Sequence, residues 1–306
     1  DTAKIVSFNL QKIARKEGKA VIAATTHTDL SGDLNRSVHI HKRFGKQIKI
    51  NYCTYDTKTH RCSLVKEMQV VQGTYQDWKE LAYFHYRSHR VAAVRNIFNL
   101  KRGDELCGVI VYCYSPIACF GRKEVLSKET RLDIKKLNKT VCIISRVVVH
   151  PKYRTIGLGA KLVRETLALA GTPCVELVAV MARYNPFAER AGMKKIAEQK
   201  PAKKVLAIVA VLEELGFNIH FLARQHYVLG KLEKLCPRDL EKVRDIFAHN
   251  KHPRFMKYFF KNAAYGYEKV YNEKVGKATL EDLARLIKLC GLLIQVKVYL
   301  FWQGAV

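Results

Sequence analysis

The stretch VVVHPKYRTIGLGAKLV (residues 147–163) changes from an apolar strand to a helix through a basic turn that contains two glycines. The first N–H groups of a helix have no intrahelical partner and lie at the positive end of the helix dipole, so they attract an anion such as pyrophosphate. Gly157 and Gly159 carry no side chain that would block a close approach, and Arg154 and Lys161 add positive charge. The pattern therefore predicts an anion site at the mouth of the turn.

The segments around this turn alternate between strand-like and helical patterns. Before it, MQVVQG (68–73) and DELCGVIVYCYSP (104–116) predict strands, and YQDWKELAYFHYRSH (75–89) between them predicts a helix. After it, CVELVAVMA (174–182) predicts a strand and NPFAERAG (185–192) a short helix. This order predicts an α/β fold, in which a mixed sheet carries helices on its faces.

The turn and its flanking segments together resemble the GNAT superfamily of acyl-CoA-dependent N-acetyltransferases. The resemblance rests on SRVVVHPKYR before the turn, R-x-x-G-x-G within it, and CVELVAVM and NPFAERAGM after it. In that family the turn holds the pyrophosphate of CoA. The resemblance therefore implies a GNAT-like mixed sheet with flanking helices, acetyl-CoA as the cofactor, and direct transfer of an acetyl group to an amine.

The same resemblance assigns binding roles residue by residue. Backbone groups lining the pantetheine and the acetyl carbonyl, where two strands splay apart, would come from Val147, Val148 and Val149. The turn residues that would hold the pyrophosphate are Arg154, Thr155, Ile156, Gly157, Leu158, Gly159, Ala160 and Lys161. Asn185 and Phe187 would border the pantetheine arm.

The usual catalytic residues of the family are absent. Its common Tyr in the short helix is replaced by Ala188, and its common Glu on the strand before the turn is replaced by Ser145. The nearest alternatives are Tyr184 as the proton donor to the leaving thiolate and Glu176 or His150 as the base. Positioning alone supports this chemistry when the amine arrives neutral, so the departures do not exclude activity.

Residues 1–50 combine a helical pattern with an apolar stretch, AVIAATTH (20–27), that predicts a buried strand ending at His27. This order, followed by TDL, resembles the last portion of an ABC-type ATPase domain, in which such a His reaches the ATP γ-phosphate. The sequence contains no G-x-x-x-x-G-K-[ST] loop, and no apolar strand ending in Asp-Glu precedes His27. We therefore expect no ATP hydrolysis by this chain alone.

The chain as a whole resembles the carboxyl portion of archaeal proteins in which an ABC-type ATPase is fused to a predicted acetyltransferase, a relation that would account for its abrupt beginning. We accordingly predict three parts: residues 1–50 as an ABC-ATPase-like α/β remnant, residues 51–200 as the GNAT-like domain, and residues 201–306 as a mostly helical, basic region.

The charge of the chain indicates a polyanionic partner. With 54 Lys and Arg against 27 Asp and Glu, the formal net charge is +27, and such an excess attracts phosphate without needing a motif. Basic and aromatic residues alternate between residues 249 and 271, a pattern that suits base stacking as well as a helical core. The candidate contacts to RNA or tRNA are Arg254, Lys257, Tyr258, Phe259 and Lys261.

Nine irregularly spaced cysteines and the absence of a signal peptide at the start of the sequence favour free thiols in a reducing cytoplasm. The most apolar tract, residues 286–302, is interrupted by charged and polar residues, so we expect no membrane span. Cys53, Cys62, His85 and His89 could in principle bind zinc, but the spacing of the two cysteines is too wide for the usual sites. We therefore expect no metal.

Two other classes of function compete with the acetyltransferase. The first is a non-catalytic nucleic-acid-binding or regulatory module that retains a CoA-binding fold, which the missing Tyr at Ala188 favours. The second is an ABC-type ATPase fragment. Turnover of acetyl-CoA separates the enzyme from the module, and binding of ATP tests the fragment; the acceptor and the oligomeric state stay open.

Overall fold

The computed structural model describes residues 1–54, 61–85, 90–91, 93–260 and 268–304. Contacts within the chain divide it into two compact units. The first comprises Asp1–Val178, Tyr184–Ala197 and Tyr299–Val306, and the second comprises Ala179–Arg183 and Glu198–Val298. Among the described residues, no helix is both long and apolar enough to cross a membrane.

The amino-terminal part of the first unit contains two helices and an isolated hairpin. The helices are α1 (Thr2–Lys16) and α2 (Ser31–Leu34), and the antiparallel hairpin is formed by β1 (Val38–Lys42) and β2 (Ile48–Tyr52). The helical pattern at the start of the chain is thereby confirmed.

The strand predicted for residues 20–27 is wrong. These residues have no regular secondary structure in the described chain and are exposed, with the Ile22 side chain fully in solvent. A strand requires a neighbouring strand and an apolar cover, and the described part of the chain supplies neither here. The ABC-type ATPase resemblance therefore has no structural support.

A seven-stranded sheet forms the centre of the first unit. Its strands are β3 (Gln69–Gln72), β4 (Val94–Arg102), β5 (Glu105–Tyr114), β6 (Val141–Val149), β7 (Cys174–Ala179), β8 (Lys194–Gln199) and β9 (Lys297–Gln303). Their spatial order is β3-β4-β5-β6-β7-β9-β8. The pairs from β3 to β6 are antiparallel, and β6 and β7 are parallel. The predicted mixed α/β architecture is thus confirmed.

Helices cover both faces of this sheet. They are α3 (Tyr75–Ala82), α4 (Lys128–Leu132), α5 (Ile134–Thr140), α6 (Leu158–Thr166) and α7 (Phe187–Arg190). On one face, Trp78 of α3 packs with Val109 and Val111 of β5. The side chain that follows Val111 on the strand, Tyr112, points to the other face, where its hydroxyl lies 2.7 Å from Oγ1 of Thr166 in α6. This alternation places β5 in the core between α3 and α6.

The second unit is helical, as predicted for most of residues 201–306. Its helices are α8 (Lys203–Glu214), α9 (Gln225–Leu232), α10 (Pro237–His249), α11 (Pro253–Phe259), α12 (Glu268–Gly276) and α13 (Leu280–Leu293). Thr279 and Asp282 form a capping box at the start of α13. The helices share one apolar core, which includes Ile208, Phe247 and Leu286.

Candidate functional site

The strands β6 and β7 separate after a short paired section. Their backbones pair only from Val141 to Ile143 on β6 and from Cys174 to Glu176 on β7. Beyond that point β6 continues to pair with β5 on its other side, as far as Val149. The edge of β6 that faces β7 therefore runs on to Val149 without a strand partner in the described sheet. This opening between two parallel strands can take an extended ligand against the backbone.

The opening leads into the turn identified from the sequence. A single 3₁₀ turn, Pro151–Tyr153, follows β6, and α6 begins at Leu158 with Gly157 as its N-cap. Gly157 has φ +90°, and a Cβ added there would meet no atom within 4 Å. The space over the turn is therefore open, and the first N–H groups of α6 face it without an intrahelical partner. This geometry favours an anion at the positive end of the helix dipole.

The two cations expected beside the turn form other contacts. Arg154 donates from Nε to the carbonyl of Val149 at 3.0 Å and from Nη2 to the carbonyl of Phe84 at 3.3 Å. Lys161 lies 2.8 Å from Glu165 one helical turn further along α6. Arg154 therefore ties the end of β6 to the segment after α3 and keeps its positive charge, because both of its partners are neutral carbonyls.

The segment after β7 reaches the same place. Phe187, at the start of α7, lies 3.7 Å from where a Cβ of Gly159 would be, so its ring packs on the first turn of α6. Arg164 of α6 donates to the carbonyl of Arg190 at 2.7 Å and fixes α7 against α6. Asn185, two residues before Phe187, is exposed. The structure thus brings the strand opening, the turn and Phe187 together, as the sequence pattern suggested.

Glu176 occupies a different environment from the one expected of a base. Its side chain is fully buried and forms a two-pronged ion pair with Arg122, at 2.5 Å to Nη2 and 3.0 Å to Nε. The hydroxyl of Tyr299 donates to the same carboxylate at 2.9 Å, and burial raises the pKa of that Tyr, with the Glu176 charge adding to the effect. These contacts give Glu176 a structural place in the core and do not support a role as the base.

His150 lies directly after β6, at the end of the strand opening. Its Nδ1 accepts a hydrogen bond from the backbone N–H of Lys152 at 3.3 Å, and its ring packs edge-on against Phe84. In the neutral ring the proton is therefore on Nε2. Tyr184, the candidate proton donor to the leaving thiolate, is 73% exposed. Ala188 is buried, and its side chain carries no hydroxyl that could donate a proton.

A cleft next to His150 is acidic, in contrast to the basic chain. It is lined by Asp77, Glu80, Leu81, Phe84, Lys101, Asp104, Glu105, Leu106 and His150. Glu105 accepts from the Tyr153 hydroxyl at 2.5 Å and pairs with Lys152 at 3.1 Å, and the Tyr153 contact is the main reason that the pKa of Glu105 lies below its ordinary value. Even when the ammonium of Lys152, which pairs with Glu105, is counted with that of Lys101, the four carboxylates leave the cleft with a net negative charge, which favours a cationic ligand.

The metal candidates do not form a cluster in the described part of the chain. No three His, Cys, Asp or Glu side chains there lie close enough to hold a metal ion. Burial raises the pKa of Cys62 to about 11, so it is a thiol, and His85 packs edge-on against Trp78. His89 lies outside the described residues.

The candidate RNA contacts are largely engaged in the helical unit. Tyr258 donates to Asp282 at 2.6 Å, and Phe259 packs edge-on against both Tyr258 and Tyr271 at the border of the core. Arg254 and Lys257 lie on the same helix, α11, and Lys261 falls outside the described residues. RNA contact by these residues stays a prediction.

His27, which the ABC-type resemblance places at the position of the γ-phosphate histidine, is exposed at the start of the short 3₁₀ turn Thr28–Leu30. Its backbone N–H donates to the Thr25 hydroxyl at 3.0 Å. Since the strand that should precede it is missing, nothing in the structure gives His27 the place that the ATPase resemblance implied.

Comparison with known proteins gives little support of its own. No protein-family model and no curated protein matches the chain. Among solved structures, a Bacillus subtilis acetyltransferase in complex with CoA is similar at 15% identity and a TM-score of 0.31, over 44% of this chain and 80% of that one. Similarity at this level does not establish a shared family.

Proposed function

We propose that this chain is a GNAT-type N-acetyltransferase that moves the acetyl group of acetyl-CoA to an amine. The observation that carries the proposal is the continuity of one surface: the opening between β6 and β7 runs into the turn before α6. An extended thioester arm fits the opening between the strands, and a pyrophosphate fits the turn that follows it. The open space over Gly157 and the ring of Phe187 beside Gly159 are consistent with such a ligand.

Each part of the chain at this site would have a separate role in binding or in proton transfer. The free edge of β6 at Val147–149 binds the arm and the carbonyl, and the N–H groups at the start of α6 bind the pyrophosphate. Acetyl-CoA, when bound, supplies the activated thioester. His150, at the end of the opening, would accept a proton from the incoming ammonium at Nδ1, in place of the hydrogen bond that this nitrogen accepts from the Lys152 N–H. Tyr184 is the remaining candidate donor to the thiolate.

The acidic cleft beside His150 supports a cationic amine as the acceptor. Its carboxylates stabilise an ammonium group and repel phosphate, so the amine itself, rather than an RNA backbone, would occupy this cleft. A polyamine or a lysine side chain has the required charge. An amine carried on RNA stays compatible only if the RNA lies outside the cleft.

The binding site is tested by calorimetry with CoA on the wild type and on two variants of Gly157. Gly157→Glu places a negative side chain in the pyrophosphate space and should abolish binding, whereas Gly157→Ala, which shares the backbone strain, should keep most of it. Absence of binding to the wild type at millimolar CoA, or equal binding by Gly157→Glu, would overturn the proposal.

The reaction is tested by acetyl transfer from labelled acetyl-CoA to spermidine, to a lysine peptide and to tRNA. His150→Asn preserves an acceptor for the Lys152 N–H but removes the base, so it should lower the rate by about 100-fold or more and leave CoA affinity unchanged. No transfer to any amine, with CoA binding intact, would favour the alternative of a non-catalytic CoA-binding module, which Ala188 at the usual Tyr position already favours.

A further inference from the structure

The helix α1 contacts the proposed CoA turn at two points. Nδ2 of Asn9 donates to Oγ1 of Thr155 at 2.7 Å. At the start of the helix, the carboxylate of Asp1 lies 3.2 Å from Nζ of Lys152 and 3.3 Å from the Tyr153 hydroxyl oxygen. These three partners belong to the segment between β6 and α6, so α1 holds this segment along its length.

Thr155 adopts a backbone conformation that needs such support. Its φ is +74°, a value that is costly for a residue branched at Cβ. The Thr155 hydroxyl donates to the carbonyl of Arg154 and, with a remaining lone pair, accepts from Asn9. The side chain of Thr155 is thus fixed between its own backbone and α1, and with it the orientation of the next peptide N–H, which belongs to Ile156.

The amide of Asn9 is itself held in position. The same Nδ2 donates to the carbonyl of Ile5 at 2.9 Å, one helical turn earlier, and Ile5 and Phe8 are buried on the same helix. Both hydrogens of the amide therefore have acceptors, and rotation away from Thr155 would break both bonds. The Asn9 amide is thus fixed on α1 and in turn fixes the position of the Thr155 hydroxyl.

We propose that Asn9 is a positioning residue for CoA: by holding Thr155 at positive φ, it keeps the N–H groups that follow directed at the pyrophosphate, so that docking of α1 sets the affinity of the turn. This inference rests on the proposed function. Successive N–H groups form an anion-binding concavity only when the backbone alternates between right-handed and left-handed conformations, and Thr155 and Gly157 supply the left-handed positions.

The test is a double-mutant cycle on CoA affinity, measured by calorimetry. Asn9→Ala should raise the Kd about three- to tenfold, the value of one hydrogen bond. Gln11→Ala removes an amide from the same helix whose contact, to Arg15 at 2.7 Å, stays within α1, and should leave the Kd unchanged. In the Thr155→Gly background Asn9→Ala should have little effect, because glycine adopts positive φ without support.

The outcomes separate the inference from the function on which it rests. Wild-type protein that binds CoA, combined with an Asn9→Ala variant that binds equally well, overturns the inference alone, as does an equal loss in both backgrounds. Wild-type protein that does not bind CoA overturns the proposed function and the inference with it. Should Asn9→Ala fail to fold, Thr155→Val removes the hydrogen bond to Asn9 together with the one to the Arg154 carbonyl; it should show at least the same loss, and an unchanged Kd would contradict the proposal.

Discussion

At the scale of single residues, Arg122 and Glu176 form an ion pair in the core of the first unit. Arg122 is 2% exposed and Glu176 is fully buried, and Arg122 also donates to the carbonyls of Pro116 and Ile117 at 2.8 and 3.0 Å. A buried pair of this kind stabilises little relative to an apolar pair, but removal of one partner leaves an unpaired charge in a medium of low dielectric.

Arg122→Leu should therefore lower the free energy of unfolding by about 3 to 5 kcal/mol. The measurement is urea unfolding followed by circular dichroism. Lys123→Leu, next in sequence, is the control, because its contact with Glu124 is exposed and 3.6 Å long and should change stability by less than about 1 kcal/mol. Equal effects of the two substitutions would show that the Arg122 pair is not buried in solution.

The pKa of His252 predicts how the stability of the helical unit changes in acid. Burial, and secondly the charges of Arg254 and Lys204, lower the pKa of His252 from its ordinary value near 6.5. His252 therefore binds a proton more tightly in the unfolded chain than in the folded chain. The neutral His252 ring contributes its full share to the free energy of unfolding above about pH 6.5, and this share is lost as the pH falls below that value.

Urea unfolding at pH 7.5 and 5.5 should accordingly show a lower midpoint at the lower pH. His252→Asn keeps an acceptor for the Arg254 N–H, which His252 now caps at 3.2 Å, but does not titrate in this range, so it should reduce the difference between the two midpoints. An unchanged difference would assign the acid sensitivity to other groups.

At the scale of secondary-structure elements, β9 completes the sheet beside β7, about one hundred residues after β8 in the chain. The ring of Tyr299 in β9 packs directly on Gly121, where a Cβ would lie 2.7 Å from Cγ and Cδ1 of the ring. Gly121 also has φ +78°. Only glycine allows both the backbone conformation and the close approach of β9.

Gly121→Ala should thus lower the free energy of unfolding by about 2 to 5 kcal/mol, the sum of backbone strain and overpacking. Gly157→Ala is the matched control, because φ is also positive but the space around it is open, and it should cost only the strain, about 1 to 2 kcal/mol. The difference between the two, measured by urea unfolding, reports the packing of β9. No difference would place Tyr299 elsewhere.

At the scale of the whole molecule, the net charge of +27 is the dominant electrostatic property. A charge of this size attracts polyanions even without a shaped site, and it contrasts with the acidic cleft beside His150. These two features suggest that the basic exterior attracts phosphate, whereas the acidic cleft beside His150 attracts a cationic amine.

Binding of tRNA and polyuridine should therefore weaken steeply with salt, with about 0.7 log units of affinity lost per log unit of salt for each single-strand phosphate neutralised. Neutralising Arg254 and Lys257 together should reduce that slope if α11 contributes contacts. Phe259→Ala should mainly lower thermal stability, because its ring packs against Tyr258 and Tyr271. Filter binding across a salt series checks the salt dependence and the effect of neutralising Arg254 and Lys257. Binding that is absent or independent of salt would exclude a phosphate partner.

The local sequence was sufficient to predict the strand, turn and helix around Gly157, because propensity, capping and glycine geometry depend on neighbouring residues. It also predicted that residues 201–306 are mostly helical, because their apolar residues repeat at helical spacing. It did not predict β4, whose pattern is less apolar, or a strand for β9, because strand formation depends on a partner that is distant in sequence.

Tertiary structure alone decided the roles of individual side chains at the site. Glu176 finds Arg122 at a separation of 54 residues and Tyr299 at 123, and Asn9 reaches Thr155 across 146. Such contacts leave no periodic trace in a single sequence, because each joins side chains that only the packed sheet brings together. The sequence by itself thus determined the strand, the glycine turn and the helix at which we propose an anion site, and the fold decided which carboxylate is buried, which histidine lies at the strand opening, and which helix contacts the turn.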